Sequence, residues 1–380
     1  MQFRELRKAP RDDMAIDVAA AVFLGRRFMQ RTGTEIVDVA RIGMAHVVEQ
    51  FMRACRKSDN GIRSKQFTAD RSRDIALTDV DAVDLDAFLT RSQHHVETVI
   101  DKQGNVRKWF DVPVNPAHGL ARTMGIAFDD DWNLYLCDNP GWLGRKETDF
   151  TGRLLKITAD EDGIREWKTV AYGMEHPNGV RIRDGYLYVT QSNLTKVQDP
   201  SGKLVSAVYR FALAEENVCV ANTLEDPNLF VTFLTQNPDC QYGADGICFD
   251  EAGNLYVGNF GDGAVHKITI EGGRAVKNEV WAKDPEQLTS TDGICAGPDG
   301  CFYVADFSAN AVARISKDGE VTRIAQSPDT DGLHGELDQP GEPIVWDGKI
   351  VVSCFDLVTD PGKVNTAHEM PATMAYLDLE

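Results

Sequence analysis

A hairpin-like unit that recurs five times constrains the fold of this chain more than any other feature of its sequence. Each copy has a short apolar stretch, a turn carrying Asp, Gly or Asn, and a second apolar stretch. Apolar stretches joined by such a turn are typical of a β-hairpin. The copies occupy residues 124–138, 178–190, 245–259, 292–306 and 342–353.

Further apolar stretches extend these hairpins. A third follows most of them, at residues 152–157, 207–211, 264–268 and 311–315. A fourth follows in some copies, at residues 164–170 and 321–325. Four antiparallel strands that repeat at intervals of about 50 residues form one blade of a β-propeller. The sequence therefore predicts an all-β fold of the propeller type.

The stretches that flank the repeats bear on the number of blades. Residues 96–101 and 105–110 resemble the third and fourth strands of a blade before the first hairpin, and residues 373–379 resemble a third strand after the last. Two third strands cannot belong to one blade, so we predict six blades, with five as the alternative. The inner strands of the sixth blade would lie within residues 70–95.

The first part of the chain has a different period. Apolar residues recur at helical spacing between Ile36 and Met52, and a second helical candidate spans residues 14–27. We therefore predict a helical N-terminal extension or cap over residues 1–70 and the propeller over residues 71–380. The apolar stripe favours packing on the propeller, and the alternative is an interface through which copies of the chain form a homo-oligomer.

The charge of the chain narrows the class of partner. It has 59 acidic and 40 basic residues, and a net charge of −19. A nucleic-acid surface needs a basic patch and docking on anionic lipid needs basic segments, so we expect no nucleic acid and no membrane among its partners. A small-molecule substrate is the expected partner.

The N-terminus and the cysteines predict the compartment. The apolar stretch at residues 18–24 is short and follows Asp12, Asp13 and Asp17, which is the wrong charge for a secretory signal. The eight cysteines include no CxxC pair, and even cysteine counts indicate disulfides only in short secreted chains. We therefore expect reduced thiols and a cytoplasmic protein.

The repeat also predicts a polar site on the propeller axis. The first strand of each blade lines the central channel, so equivalent residues of successive blades converge there. Carboxylates around one axis repel one another unless a cation or protons compensate them, and ligand sets of oxygen alone suit Ca²⁺, Mg²⁺ or Mn²⁺. The alternative is that Asp-Gly and Asn-Gly only form turns, but their recurrence in phase favours the metal site. The converging residues are Met124, Asn178, Asp245, Asp292 and Glu342.

These repeats resemble the senescence marker protein (regucalcin)/gluconolactonase family of six-bladed propellers. The resemblance covers residues 115–355 and is carried by PNGV at 177–180, ADGICFD at 244–250 and GEPIVWDG at 341–348. Members of that family bind one divalent cation, often Ca²⁺ or Zn²⁺, through a Glu of the first blade and an Asn and an Asp of the fourth and fifth blades. The Asp is also assigned to catalysis.

Carried over by motif, the resemblance implies that Glu342, Asn178 and Asp245 are metal ligands and that Asp245 is the catalytic base. Two features depart from the family. The Glu motif lies in the last hairpin, so the blade order is circularly permuted. In addition, Thr123-Met124-Gly125 stands where an Asn-Asp-Gly motif is often found, which leaves specificity for a sugar lactone in doubt.

The predicted activity is hydrolysis of a lactone or ester, with the metal as a Lewis acid and Asp245 or Asp292 accepting the proton of the attacking water. His176, two residues before Asn178, is a further candidate acid or base. Two alternatives to this activity stay open.

The same metal site could serve a lyase, isomerase or cyclase, or the propeller could bind a ligand without catalysis. The aromatic residues beside the loops that leave the hairpins wall a pocket or pack in the core: Trp142, Phe260, Phe307 and Phe355.

Overall fold

The structure is a computed structural model that describes residues 96–100, 106–160, 162–346, 348–355, 364–366 and 373–379. The predicted helical extension and the predicted inner strands of a sixth blade lie outside these residues. The described chain is almost entirely β-structure, with four short 3₁₀ helices at Pro140–Leu143, Lys146–Thr148, Phe260–Asp262 and Phe307–Ala309. None of the helices in these residues is long and apolar enough to cross a membrane.

The first strands form a small sheet of their own. Strands β1 (Val96–Ile100) and β2 (Val106–Asp111) pair with each other in antiparallel fashion. The β1–β2 pair packs on the next sheet of the chain, where the indole of Trp109 donates to the carbonyl oxygen of Asp160 at 2.6 Å.

Five larger sheets follow, and each is one blade. The strands of the first blade are β3 (Thr123–Phe128), β4 (Asn133–Asp138), β5 (Gly152–Asp160), β6 (Gly163–Met174) and β10 (Val218–Cys219). They lie in the order β10-β6-β5-β4-β3, with β10 parallel to β6 and the other pairs antiparallel. The second blade, in the order β11-β9-β8-β7, consists of β7 (Pro177–Arg183), β8 (Tyr186–Gln191), β9 (Leu204–Ala212) and β11 (Leu229–Thr235).

The last three blades run in simple sequence order. The third consists of β12 (Ala244–Phe249), β13 (Leu255–Asn259), β14 (Ala264–Glu271) and β15 (Arg274–Lys283). The fourth consists of β16 (Ile294–Ala296), β17 (Phe302–Asp306), β18 (Ala311–Ile315) and β19 (Val321–Gln326). The fifth consists of β20 (Pro340–Trp346), β21 (Lys349–Cys354) and β22 (Thr373–Asp378).

The hairpins of the first and third blades are closed by a side-chain clamp that explains their turn residues. Asp129 accepts hydrogen bonds from the backbone and side-chain nitrogens of Asn133 at 2.9 and 2.8 Å, and from the hydroxyl of Tyr135 at 3.2 Å. Residues 250–256 repeat these three bonds in the third blade. Because the clamp uses residues of the turn and of the returning strand, it fixes the register between the first two strands of the blade.

The core lies between neighbouring blades. Tyr188 of β8 meets Phe249 of β12 edge to face at 5.1 Å between ring centroids, which joins the second blade to the third. Similar clusters of buried apolar residues join the first blade to the second, the third to the fourth and the fourth to the fifth. The inner strands β3, β7, β12, β16 and β20 thereby follow one another around a common axis.

The predicted all-β propeller is confirmed, and its blade number is corrected from the predicted six to five, the stated alternative. The pair β1–β2 was expected to supply outer strands of a sixth blade, but among the described strands it pairs only with itself and packs on the first blade. At one end of the channel the first and fifth blades are neighbours, since the rings of Trp142 and Phe355 lie 6.0 Å apart.

Candidate functional site

The residues predicted to converge on the axis lie where the inner strands are irregular. Strands β3, β7, β12 and β20 each shift register by one residue close to their beginning. A residue inserted in this way bends the strand and redirects a side chain. The shifts contain Met124, Asn178, Asp245 and Glu342, and Asp292 lies two residues before the start of β16.

The glycine after four of these positions has a packing role. A Cβ atom built on Gly246 would lie 2.2 Å from the carbonyl oxygen of Asp292, and one built on Gly125 would lie 2.7 Å from that of Asn178. Gly179 and Gly293 stand against the next blade in the same way. These glycines let neighbouring inner strands approach closely, so the five predicted positions lie side by side around the axis and do not form simple turns.

Asp245 and Asp292 form the centre of the site. The side chain of Asp245 is 3% exposed and is hydrogen bonded to the side chain of Asp292. Burial raises the pKa of Asp245 well above its ordinary value, and the nearby charges of Asp292 and Glu342 raise it further. Two carboxyl groups in such contact hold a proton between them or share a cation.

Asn178 lies beside this pair and faces Tyr242. Its amide nitrogen is 3.5 Å from the hydroxyl oxygens of both Ser192 and Tyr242. Burial raises the pKa of Tyr242, with further contributions from the charges of Asp245 and Asp292. The Tyr242 hydroxyl therefore stays protonated and can donate a hydrogen bond next to the carboxyl pair. Sequence reasoning missed Tyr242, which lies in the segment before β12.

Glu342 has a partner that the sequence did not suggest. Its Oε1 accepts a hydrogen bond from Nη2 of Arg181 at 2.5 Å, and about a quarter of each side chain is exposed (27% and 25%). Burial raises the pKa of Glu342, and the guanidinium partly offsets this effect. One signal in the sequence could have identified Arg181. It lies three residues after Asn178, and the equivalent positions of the other inner strands carry uncharged side chains: Ala127, Cys248, Cys295 and Val345.

The thiols near Arg181 are not suited to nucleophilic catalysis. Burial raises the pKa of both Cys248 and Cys295, although the guanidinium acts in the opposite direction. A thiol with a raised pKa stays protonated and is a weak nucleophile. Cys137 and Cys354 are likewise buried thiols.

His176 stands at the edge of the site. Burial lowers its pKa to about 4, and its Nδ1 has no hydrogen-bond partner within the described residues. The imidazole is therefore neutral near pH 7 and can accept a proton. The catalytic role predicted for His176 stays a prediction.

The aromatic residues singled out in the sequence lie around the mouth of the channel and contact one another. Successive rings are 5.7 to 6.1 Å apart between centroids, at interplanar angles of 60° to 84°. We call this set the aromatic collar, and its members in order are Trp142, Phe355, Phe307, Phe260, Tyr242 and His176. The collar closes on itself near Gly141, the neighbour of Trp142, whose added Cβ would lie 3.6 Å from Nε2 of His176.

The predicted metal ligands fit a divalent cation in chemistry and only partly in arrangement. Asn178, Asp245 and Asp292 offer hard oxygen donors on adjacent inner strands, as Ca²⁺ or Mg²⁺ requires. Glu342 has one oxygen held by Arg181. In the part of the chain that the structure describes, no three His, Cys, Asp or Glu side chains form a group that could hold a metal ion. Since the predicted set of Glu342, Asn178 and Asp245 contains only two such residues, it stays a prediction.

Comparison with known proteins gives matches only among solved structures. No model of a protein family and no curated protein matches the chain. A gluconolactonase from Xanthomonas campestris is 15% identical over 72% of this chain and 78% of that chain, with a TM-score of 0.44. Luciferin-regenerating enzyme is 12% identical over 73% and 82% (TM-score 0.48), and virginiamycin B lyase from Staphylococcus aureus is 13% identical over 73% and 72% (TM-score 0.42). Their names differ in activity, and likeness at this level gives no argument about the chemistry of this chain.

Proposed function

We propose that this chain is a hydrolase of lactones or esters whose reaction is carried by Asp245 and Asp292 at the mouth of the channel. The observation that supports this proposal is the hydrogen bond between the two carboxyl groups in a buried place on the axis. A pair of carboxyl groups in contact is a common means of supplying an acid and a base at once.

The Asp245–Asp292 pair can serve both the attack of water and the departure of the leaving group. Its ionised member accepts a proton from water while the water oxygen bonds to the carbonyl carbon of the substrate. The bond from that carbon to the leaving oxygen then breaks, and the protonated member donates to the leaving oxygen. The Tyr242 hydroxyl and the Asn178 amide are hydrogen-bond donors beside the pair, and they can hold the carbonyl oxygen as its negative charge develops.

A divalent cation, Ca²⁺ before Mg²⁺, Mn²⁺ or Zn²⁺, is part of the proposal. Asn178, Asp245 and Oε2 of Glu342 would hold the cation, with Asp292 as a further donor. When bound, the cation would polarise the carbonyl group and favour ionisation of a bound water. The chain's own residues would still orient the substrate and move the protons.

The proposed activity is tested by kinetics on a panel of lactones and aryl esters. We expect Asp245→Asn and Asp292→Asn each to lower kcat by about 100-fold or more, because each removes a group that transfers a proton. Asp184→Asn is the matched control, since this carboxylate is 86% exposed and the φ of 51° is one that Asn adopts readily. Wild-type rates in both site variants, or no turnover of any substrate by the wild type, would contradict the proposal.

The metal is tested separately by elemental analysis and thermal unfolding of the purified protein. We expect about one divalent ion per chain, a lower melting temperature with chelator, and loss of the ion in Asn178→Ala. Hydrolysis that survives full removal of the ion would leave the carboxyl pair as the catalyst and refute the metal. A protein that loses stability with chelator but turns over nothing would be a binding propeller with a structural metal.

A further inference from the structure

The rings of the aromatic collar are a feature of the channel mouth that the proposed chemistry does not use, since of its members that chemistry takes only the hydroxyl of Tyr242. It surrounds the end of the channel at which Asn178, Asp245, Asp292 and Glu342 lie, because its members either follow the second strand of a blade or precede the first. Tyr242 connects the two features directly, since its ring packs on His176 and Phe260 while its hydroxyl faces Asn178. A substrate that reaches the carboxyl pair from this end must pass the collar.

The collar is poor in groups that could bind sugar hydroxyls. Four of its six side chains are Phe or Trp, and the position on β3 that faces the same ring of residues is Met124. The hydroxyl of Tyr242 is already placed against Asn178. A polyhydroxylated lactone would have to give up water around several hydroxyls without gaining partners, which is unfavourable for each hydroxyl left unpaired.

The collar is better matched to a flat apolar group. Neighbouring rings meet edge to face, and the rings of Trp142 and Phe355 are only partly buried, whereas Phe260 and Phe307 are buried. A partly exposed ring can accept the edge of a further aromatic ring. Glu342 is already paired with Arg181, and Asp245 is hydrogen bonded to Asp292, which makes a neutral ligand a better match than an organic cation.

We propose that the site takes lactones or esters that carry an aromatic ring, with the ring seated in the aromatic collar, and that it discriminates against polyhydroxylated sugar lactones. This inference rests on the proposed hydrolase function for the reaction, but seating of the ring does not depend on hydrolysis. The two can therefore be tested apart.

Binding is measured by calorimetry with 2-naphthol, a neutral aromatic that has no ester bond. We expect the wild type to bind it, and Trp142→Leu and Phe355→Leu each to weaken binding by about tenfold, the value of one lost ring contact. Two collar variants are used so that a folding defect in one, seen by circular dichroism, leaves the other informative.

Trp167→Leu is the matched control for Trp142→Leu. Trp167 is 42% exposed on β6 of the same blade and lines a surface cavity of about 270 Å³ far along the blade from the axis. Binding should be unchanged in this variant. Equal binding in all variants, loss in Trp167→Leu alone, or binding of tetramethylammonium in place of naphthol would overturn the proposal.

Selectivity is measured as kcat/KM for a phenyl-substituted δ-lactone and for glucono-δ-lactone, which have the same kind of reacting bond. We expect a preference for the phenyl compound of about tenfold or more, and Trp142→Leu should reduce it by raising KM for that compound alone. A preference for the sugar lactone would overturn the inference while leaving the hydrolase intact. Binding of naphthol without turnover of any lactone or ester would instead refute the hydrolase and leave the ring site standing.

Discussion

Arg181 of the second blade donates a hydrogen bond to Glu342 of the fifth blade at 2.5 Å, so one ion pair connects inner strands of two blades that are not neighbours in the ring. The guanidinium also lies 3.5 Å from the carbonyl oxygen of Ile294 in the fourth blade. Arg181 thus connects its own blade with the fourth and the fifth. The Arg181–Glu342 ion pair therefore links inner strands of different blades. The guanidinium also favours the ionised form of Glu342.

We expect Arg181→Met to lower the free energy of unfolding by about 2 kcal/mol, because it leaves the partly buried Glu342 carboxylate without its charged donor. Urea unfolding measures this effect. Arg165→Met is the control, since Arg165 makes its ion pairs at the exposed surface and should cost less than about 1 kcal/mol. Glu342→Gln in the Arg181→Met background should recover part of the loss, and strict additivity of the two changes would contradict direct coupling.

The glycines of the inner strands give a second test. We expect Gly246→Ala to lower the free energy of unfolding by about 3 kcal/mol or more, because the new Cβ would lie 2.2 Å from the carbonyl oxygen of Asp292. Gly341→Ala is the matched control in β20, where the nearest atom to an added Cβ lies at an ordinary 3.6 Å. Urea unfolding of both variants checks this. Equal stability would mean that the strands are not held this close together.

A third prediction concerns the pH dependence of stability. Burial lowers the pKa of His266, although Asn278, at 2.9 Å, and Asp262 favour the charged form, while Lys283 acts with burial. The unfolded chain therefore takes up a proton on this group below about pH 6.5 before the folded chain does. Stability is lost as the pH falls from about 6.5 through the lowered pKa.

His266→Gln keeps a polar partner for Asn278 and removes the titration. We expect the loss of unfolding free energy between pH 7.5 and pH 5 to be smaller in His266→Gln than in the wild type. Chemical denaturation at the two values measures the difference. An equal loss in both proteins would show that His266 titrates normally in the folded state.

The sequence predicted the centre of the site because the repeat made it visible. Asp245 and Asp292 occupy the same place in successive copies, and equivalent places of neighbouring blades must meet at the axis. Arg181 was hidden because it is an exception to the repeat, since its equivalents are apolar or thiol side chains. A periodic pattern identifies what is common to the blades and gives no weight to a residue found in one blade only.

The number of blades was a different problem. The apolar alternation at residues 96–111 predicts strands correctly, as β1 and β2 show, but alternation does not say which strand is the neighbour. The β1–β2 pair could complete a blade or pack on one, and the contact of Trp109 with Asp160 shows that it packs on the first blade.

The sequence also left the place of the aromatic residues open, because the wall of a pocket and the core of a protein favour the same side chains. The contacts between successive rings place these residues at the channel mouth.

Tyr242 offers the sharpest separation between the two parts of the site. Tyr242→Phe keeps the ring packed on His176 and Phe260 and removes the hydroxyl that lies 3.5 Å from the amide nitrogen of Asn178. We expect kcat for lactones or esters to fall by about tenfold, since one hydrogen bond to the developing oxyanion is lost, while binding of 2-naphthol is unchanged.

Tyr209→Phe is the matched control for that substitution. The hydroxyl of Tyr209 is buried and has no hydrogen-bond partner within the described residues, so its removal should leave the rate unchanged and stability equal or slightly higher. Stopped assays for kcat, calorimetry for naphthol and urea unfolding are compared across the three proteins. If Tyr242→Phe lost naphthol binding and kept kcat, the hydroxyl would belong to ligand recognition and have no part in the chemistry.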